Sequence, residues 1–90
     1  MEITQTPDTV VVDLEVILQH GTAKLSHLAD YEARALGAAG HGNVVVLTGR
    51  APVWLYLKVA HALHGVARRL VYRAPALRDA EVVVFDHDAF

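Results

Sequence analysis

With 90 residues, the chain has room for one domain, and 53% of those residues are apolar or aromatic, more than one small core can hide. A formal charge of −2 excludes the global positive field by which proteins grip long nucleic acids. The absence of cysteine excludes disulfides and thiolate-held metals and suits a reducing compartment.

Mean hydropathy is positive, so apolar surface is expected to remain after the core is filled. A second copy is the most economical cover, because closed two-fold dimers are the commonest oligomers; a monomer with an apolar-rich core is the alternative. No secretory leader is legible, and no apolar run approaches the roughly 18 residues of a membrane span. A cytoplasmic protein with no membrane partner is expected. Arg68, Arg69, Arg73 and Arg78 crowd into the last quarter, a local basic patch suited to a short anionic ligand.

Met1–Gln5 reads as a short strand ending in a turn at Pro7-Asp8-Thr9. Val10 to Leu18 follows as a longer strand, with Val10, Val12, Leu14, Val16 and Leu18 on one face and Asp13 and Glu15 on the other. Gly21 and Thr22 announce a helix, with Thr22 placed to cap it. Leu25, Leu28, Ala29, Glu32 and Leu36 recur at helical spacing, and Gly37 supplies a stop. After a small-residue loop over Ala38–Gly42, Asn43–Leu47 is an apolar run of the kind found in strands covered on both faces. A second helix opens near Pro52, where proline suits the first turn, and ends at Gly65. Leu70–Tyr72 and Glu81–Phe85 are the last strands, joined by a loop containing Pro75. The order β-β-α-β-α-β-β predicts a small Rossmann-like α/β domain, homodimeric. Its mixed sheet has about five strands with two helices, parallel in the middle and with hairpin strands at the edges.

The segment from Leu47 to Leu55 carries the chemistry. A buried strand runs through Thr48, Gly49 and Arg50 into a helix start, and open α/β sheets place ligands at such carboxyl ends. The helix start offers N–H groups and a positive dipole end, Gly49 lets the backbone come close, and Arg50 can grip a phosphate in bidentate fashion. Ordinary turn chemistry with a solvated arginine is the competing reading. Along the helix, Leu55, Tyr56, Val59, Ala62 and Leu63 gather on the sheet-facing side. Trp54, Lys58 and His61 gather opposite, with His64 at the edge. Trp54 beside Lys58 there suits either a dimer contact or a stacking platform for a base. His61 and His64, three apart, could share a metal or divide acid and base work, or simply face water. Six histidines in total show no zinc spacing.

The string Val46-Leu47-Thr48-Gly49-Arg50-Ala51-Pro52-Val53-Trp54-Leu55, then Ala60-His61-Ala62-Leu63-His64, Val71-Tyr72 and Val82-Val83-Val84, resembles one small family. It is a Csx-type accessory family of type III CRISPR systems, the ring nucleases, whose members carry Gly-Arg-Gly-Pro-Ile-Trp-Leu, an Ala-His-x-x-His step and a Val-Tyr-Asp-Pro strand end. The resemblance covers roughly residues 43 to 87. It implies a dimer that binds cyclic tetra-adenylate and cuts it to linear products with help from manganese, so removing a messenger of antiviral defence. It places Gly49 and Arg50 at the phosphates; Thr48 on the same corner and Trp54 and Lys58 on the helix are expected as further ligand contacts. It also makes His61 and His64 the histidine step, and matches His87 to the histidine after the last strand.

One position departs from the family. Arg73 stands where the family has an aspartate of its catalytic or metal machinery, and the loop Ala74–Asp79 that follows is longer. A carboxylate would then come from Asp79, Asp86 or Asp88, with Asp86 and His87 the candidate metal pair. Alternatively, Arg73 joins the histidines as a catalytic group and stabilises the leaving phosphate without metal. A phosphodiesterase opening a cyclic oligoadenylate is the first expectation. A sensor or sponge that captures the ring uncut is the second, and a purely structural dimerisation unit ranks last.

Overall fold

The computed structural model describes residues 9–19 and 21–87, so the strand expected over Met1–Gln5 lies outside the described residues, as do Pro7, Asp8 and Asp88. Valines suit an extended backbone, and the first described element is the strand β1, Thr9–Asp13. It stops earlier than its alternation suggests. The Asp13 carboxylate accepts the Glu15 N–H at 2.9 Å and the Val16 N–H at 3.4 Å, capping a one-turn helix α1 over Leu14–Ile17. Aspartate at a helix start satisfies donors that a strand would have spent on its neighbour. Leu14 is fully buried while Val16 is 58% exposed, so the inward alternation ends at Leu14.

The next helix also differs from expectation. A 3-10 turn at Leu25–His27 leads into α2, Leu28–Ala39, and no side-chain cap is made at either start. Thr22 caps neither. Gly37 lies inside α2, and the stop is Gly40, at φ +67°, where glycine tolerates the left-handed region. The buried stripe is Tyr31, Ala35 and Ala39, while Leu25 is exposed. Lys24 N–H donates to the Tyr31 hydroxyl at 3.0 Å, which holds the approach to α2 against its first turns.

Strand β2, Val44–Thr48, is buried from Val45 to Thr48, as an uninterrupted apolar run between two strands requires. Helix α3, Val53–Leu63, starts after Pro52 and buries Leu55, Val59 and Leu63, one residue per turn of a single face. Strands β3, Arg69–Ala74, and β4, Ala80–Asp86, follow. A 3-10 turn at Pro75–Leu77 separates them, with Arg78 and Asp79 at φ 57° and 60°.

The sheet is mixed, ordered β1-β2-β3-β4, with β1–β2 and β2–β3 parallel and β3–β4 antiparallel. The small α/β class and the edge hairpin are as expected, with four described strands and three α-helices. Both parallel crossovers step in the same direction, so right-handedness puts α2 and α3 on one face. Between them and the sheet lies the core, which includes Val12, Val45, Leu47, Tyr31, Ala35, Leu55, Val59, Leu63 and Leu70. The other face carries a row of valines in register, Val11, Val46, Val71 and Val83, flanked by the cross-strand pairs Arg69–Asp86 and Arg73–Glu81. Among the described residues no helix is long and apolar enough to cross a membrane.

Candidate functional site

At the carboxyl end of β2 the chain turns through Gly49 at φ +105°. A Cβ there would stand 2.2 Å from Asp13 Oδ1 and 2.8 Å from the Glu15 nitrogen. Only glycine fits against the capped start of α1, so the turn is pinned to the end of β1. Thr48 Oγ1 donates to the Arg73 carbonyl at 2.9 Å, which ties the end of β2 to β3 and occupies the hydroxyl expected to touch ligand. The Tyr56 hydroxyl, one turn into α3, donates to the Gly49 carbonyl. Burial, with smaller contributions from Tyr72 and Asp13, pushes the Tyr56 phenol from 10.0 up to about 12. It therefore stays a protonated donor at neutral pH. Three neighbours fix the backbone on which Arg50 is mounted.

Around this turn lies an open cavity of about 270 Å³, lined by Asp13, Glu15, Thr48, Gly49, Arg50, Arg73, Pro75 and Asp79. Arg50 and Arg73 face three carboxylates there, so the corner is mixed in charge and not a basic field. Asp13 is directed at backbone donors, and Arg73 Nε lies 3.3 Å from Glu81 Oε2. Arg50, exposed at the rim, is the guanidinium best placed to meet an anion beside the start of α3. Arg73 shares the corner and a carboxylate partner. Asp13 and Glu15 were missed from sequence as site residues because the valine alternation seemed to continue through them. An aspartate closing a run of valines was the available signal, since it is a natural helix cap.

The other expected residues lie elsewhere. Trp54 is half-buried and packs against the core, rather than standing free on the outer face. Lys58 and His61 are exposed along α3. His64 caps the far end of that helix, with its ring 5.0 Å from Phe85 and 4.8 Å from His87. The His87 imidazole lies 3.2 Å from the His64 carbonyl, and Asp86 pairs with Arg69 at 3.7 Å. Since α3 is 11 residues long, it separates the two groups by about 16 Å. His64 is thus at the opposite end of the sheet from Arg73.

A manganese ion prefers carboxylate and water oxygen. Among the described residues, no three His, Asp or Glu side chains gather where they could hold a metal, and the Asp86 carboxylate faces Arg69. Among the described residues, Asp86 and His87 by themselves do not make a fitting manganese site.

Residues 18–89 match the family described as CRISPR-associated protein, Cas_csx3. No curated protein and no solved structure matches the chain.

Proposed function

Because the chain belongs to the CRISPR-associated Cas_csx3 family, a ring nuclease family of type III systems, we propose that it binds a cyclic oligoadenylate and opens the ring at a phosphodiester. Cyclic tetra-adenylate is the favoured substrate. The observation that carries this reading is the corner at Gly49, where Arg50 and the start of α3 are held rigidly beside an open cavity. Backbone donors and one guanidinium suit a phosphate without the field that long RNA needs.

Each linkage of such a ring carries its own nucleophile. The 2′-oxygen attacks phosphorus, a base takes its proton, and the 5′-oxygen leaves with a proton from an acid, giving a linear chain ended by a 2′,3′-cyclic phosphate. The protein has to align the 2′-oxygen, move two protons and stabilise charge on phosphorus. His61 and His64, the histidine step of α3, are the imidazoles assigned to the proton steps. Along α3 they stand about 12 Å and 16 Å from its start at the corner, so a second copy has to bring its histidines to the first copy's phosphates.

The homodimer has a fitting surface. Among the described strands β4 is a sheet edge, and Val82, Val83 and Val84 on it are exposed together with Val53 and Leu57 of α3. An exposed apolar edge without lysine or proline invites pairing with its own copy. A two-fold axis beside β4 turns one sheet end over end relative to the other. The Arg50 end of one protomer and the His64 end of its partner then share one edge of the joined sheet.

Capture of the ring without cleavage is the second reading, favoured by Arg73 standing in pair with Glu81 where the family has an aspartate. Incubation with cyclic tri-, tetra- and hexa-adenylate, in manganese or in chelator, followed by mass analysis, separates the readings. Linear products support the enzyme, an intact bound ring supports the sponge, and absence of binding overturns both.

A further inference from the structure

We propose that the cavity next to the phosphate corner, walled by Tyr56 and Tyr72, receives a nucleobase of the same ligand. The inference rests on the ring-binding reading and adds the residues that hold the base. A second cavity of about 300 Å³ opens beside the first and shares Gly49, Arg50 and Pro75 with it. The remainder of its wall is Ala51, Tyr56, Tyr72 and Ala76, with no carboxylate. One cavity is therefore charged and polar and its neighbour is aromatic and apolar, with Arg50 between them. A nucleotide is divided in the same way, into an anionic phosphate and a flat base.

The geometry of the two rings supports the match. Tyr56 and Tyr72 meet edge to face, with centroids 5.2 Å apart and planes at 83°. A flat base lying parallel to one ring stands perpendicular to the other, so it can stack on the first and meet the second edge-on, both favoured aromatic arrangements. The volume lies at the low end for small-molecule pockets, enough for one base rather than a whole ring of nucleotides. Tyr56 cannot swing away to admit or release it freely, because its hydroxyl is held by the Gly49 carbonyl. The same residue thereby fixes the phosphate turn and the base wall at a set spacing. Tyr72, on β3, is rigid for a different reason: its neighbours Val71 and Arg73 are bound into the sheet. Trp54, an aromatic that the sequence offered for stacking, packs half-buried against the core and does not line this cavity, whose aromatic wall is the tyrosine pair.

The test titrates the intact protein with adenosine 5′-monophosphate and with ribose 5-phosphate, which differ only by the base. Tyrosine ring resonances are followed by NMR, and cyclic tetra-adenylate binding is measured in parallel by calorimetry. Stacking of one base is worth about 1–3 kcal/mol, so the monophosphate is expected to bind about 5- to 140-fold more tightly than the base-free sugar phosphate. Its addition should shift the Tyr56 and Tyr72 ring signals saturably. Tyr72→Leu should weaken cyclic tetra-adenylate binding by a similar factor while ribose 5-phosphate binding stays unchanged. Equal affinity for the two small probes, or unmoved tyrosine signals while cyclic tetra-adenylate binds normally, overturns the base site and leaves the ring-binding reading intact. No binding of cyclic tetra-adenylate to the wild type overturns both.

Discussion

Tyr56 joins three roles in one side chain: its ring packs beside Tyr72, its position lies one turn into α3, and its hydroxyl holds the Gly49 carbonyl. Removing that hydroxyl in Tyr56→Phe should cost about 0.5–1.5 kcal/mol at neutral pH, the ordinary net worth of such a bond. The pH dependence of the loss follows from burial. The folded phenol is raised from 10.0 to about 12, so between those values the unfolded chain has released this proton and the folded chain has kept it. Fewer protons on the unfolded state mean that stability falls as pH rises. The stabilisation is whole below pH 10 and drains away towards pH 12. Urea unfolding of wild type and Tyr56→Phe should therefore show a gap that is constant from pH 7 to 9 and closes above 10. A gap unchanged up to pH 12 would mean that the phenol is not held protonated by the fold.

At the scale of elements, the site is the place where three ends are pinned together: β1 through Asp13, β2 through Gly49, and β3 through the Arg73 carbonyl. Gly49→Ala would push a methyl carbon against the Asp13 carboxylate at a φ of +105°. It should destabilise by at least about 1–3 kcal/mol. A chemical denaturation midpoint reads this directly, and a variant as stable as wild type would show that the corner relaxes without strain. Much of this framework was legible in the sequence. The valine run of β2, the glycine turn, proline before α3 and the Leu55-Val59-Leu63 stripe each announce their structure by period or by a backbone requirement. What was not legible depends on competition between local choices. Asp13 can sit on a strand face or cap a helix, and capping won. Gly37 can end a helix or be tolerated within it, and the tertiary contacts of Ala39 carried α2 on to Gly40. Trp54 was assigned outward by helical period, yet an indole on the first turn reaches the core from the flank. The separation of His64 from Arg73 could not be read from spacing, because only topology tells that α3 runs from one end of the sheet to the other.

For the molecule as a whole, Val46 and Val71 at the centre of the valine row are buried, and the surplus of apolar residues emerges at Val11 and Val83 on the ends of that row and in the groove between α3 and β4. Leu57 is 65% exposed at that groove and outside the core, so Leu57→Lys should leave the fold intact. It should also drive a dimer towards monomers by placing a charge in an apolar interface. Sedimentation equilibrium of the wild type is expected to give a dimer and that of the variant a monomer-rich mixture; unchanged mass in the variant would place the interface elsewhere. The division of labour between the two ends of the sheet gives the central test. Arg50→Ala and His64→Ala should each open cyclic tetra-adenylate more slowly than wild type, the histidine variant by about 10²–10⁴. Each protein lacks a different half of a site built from two chains. Ring opening should therefore be timed for wild type, for each variant alone, and for an equimolar mixture of the variants allowed to exchange subunits. Partial recovery of the rate in the mixture is the expected result; a mixture no faster than the average of its components, or full activity in His64→Ala alone, would contradict it.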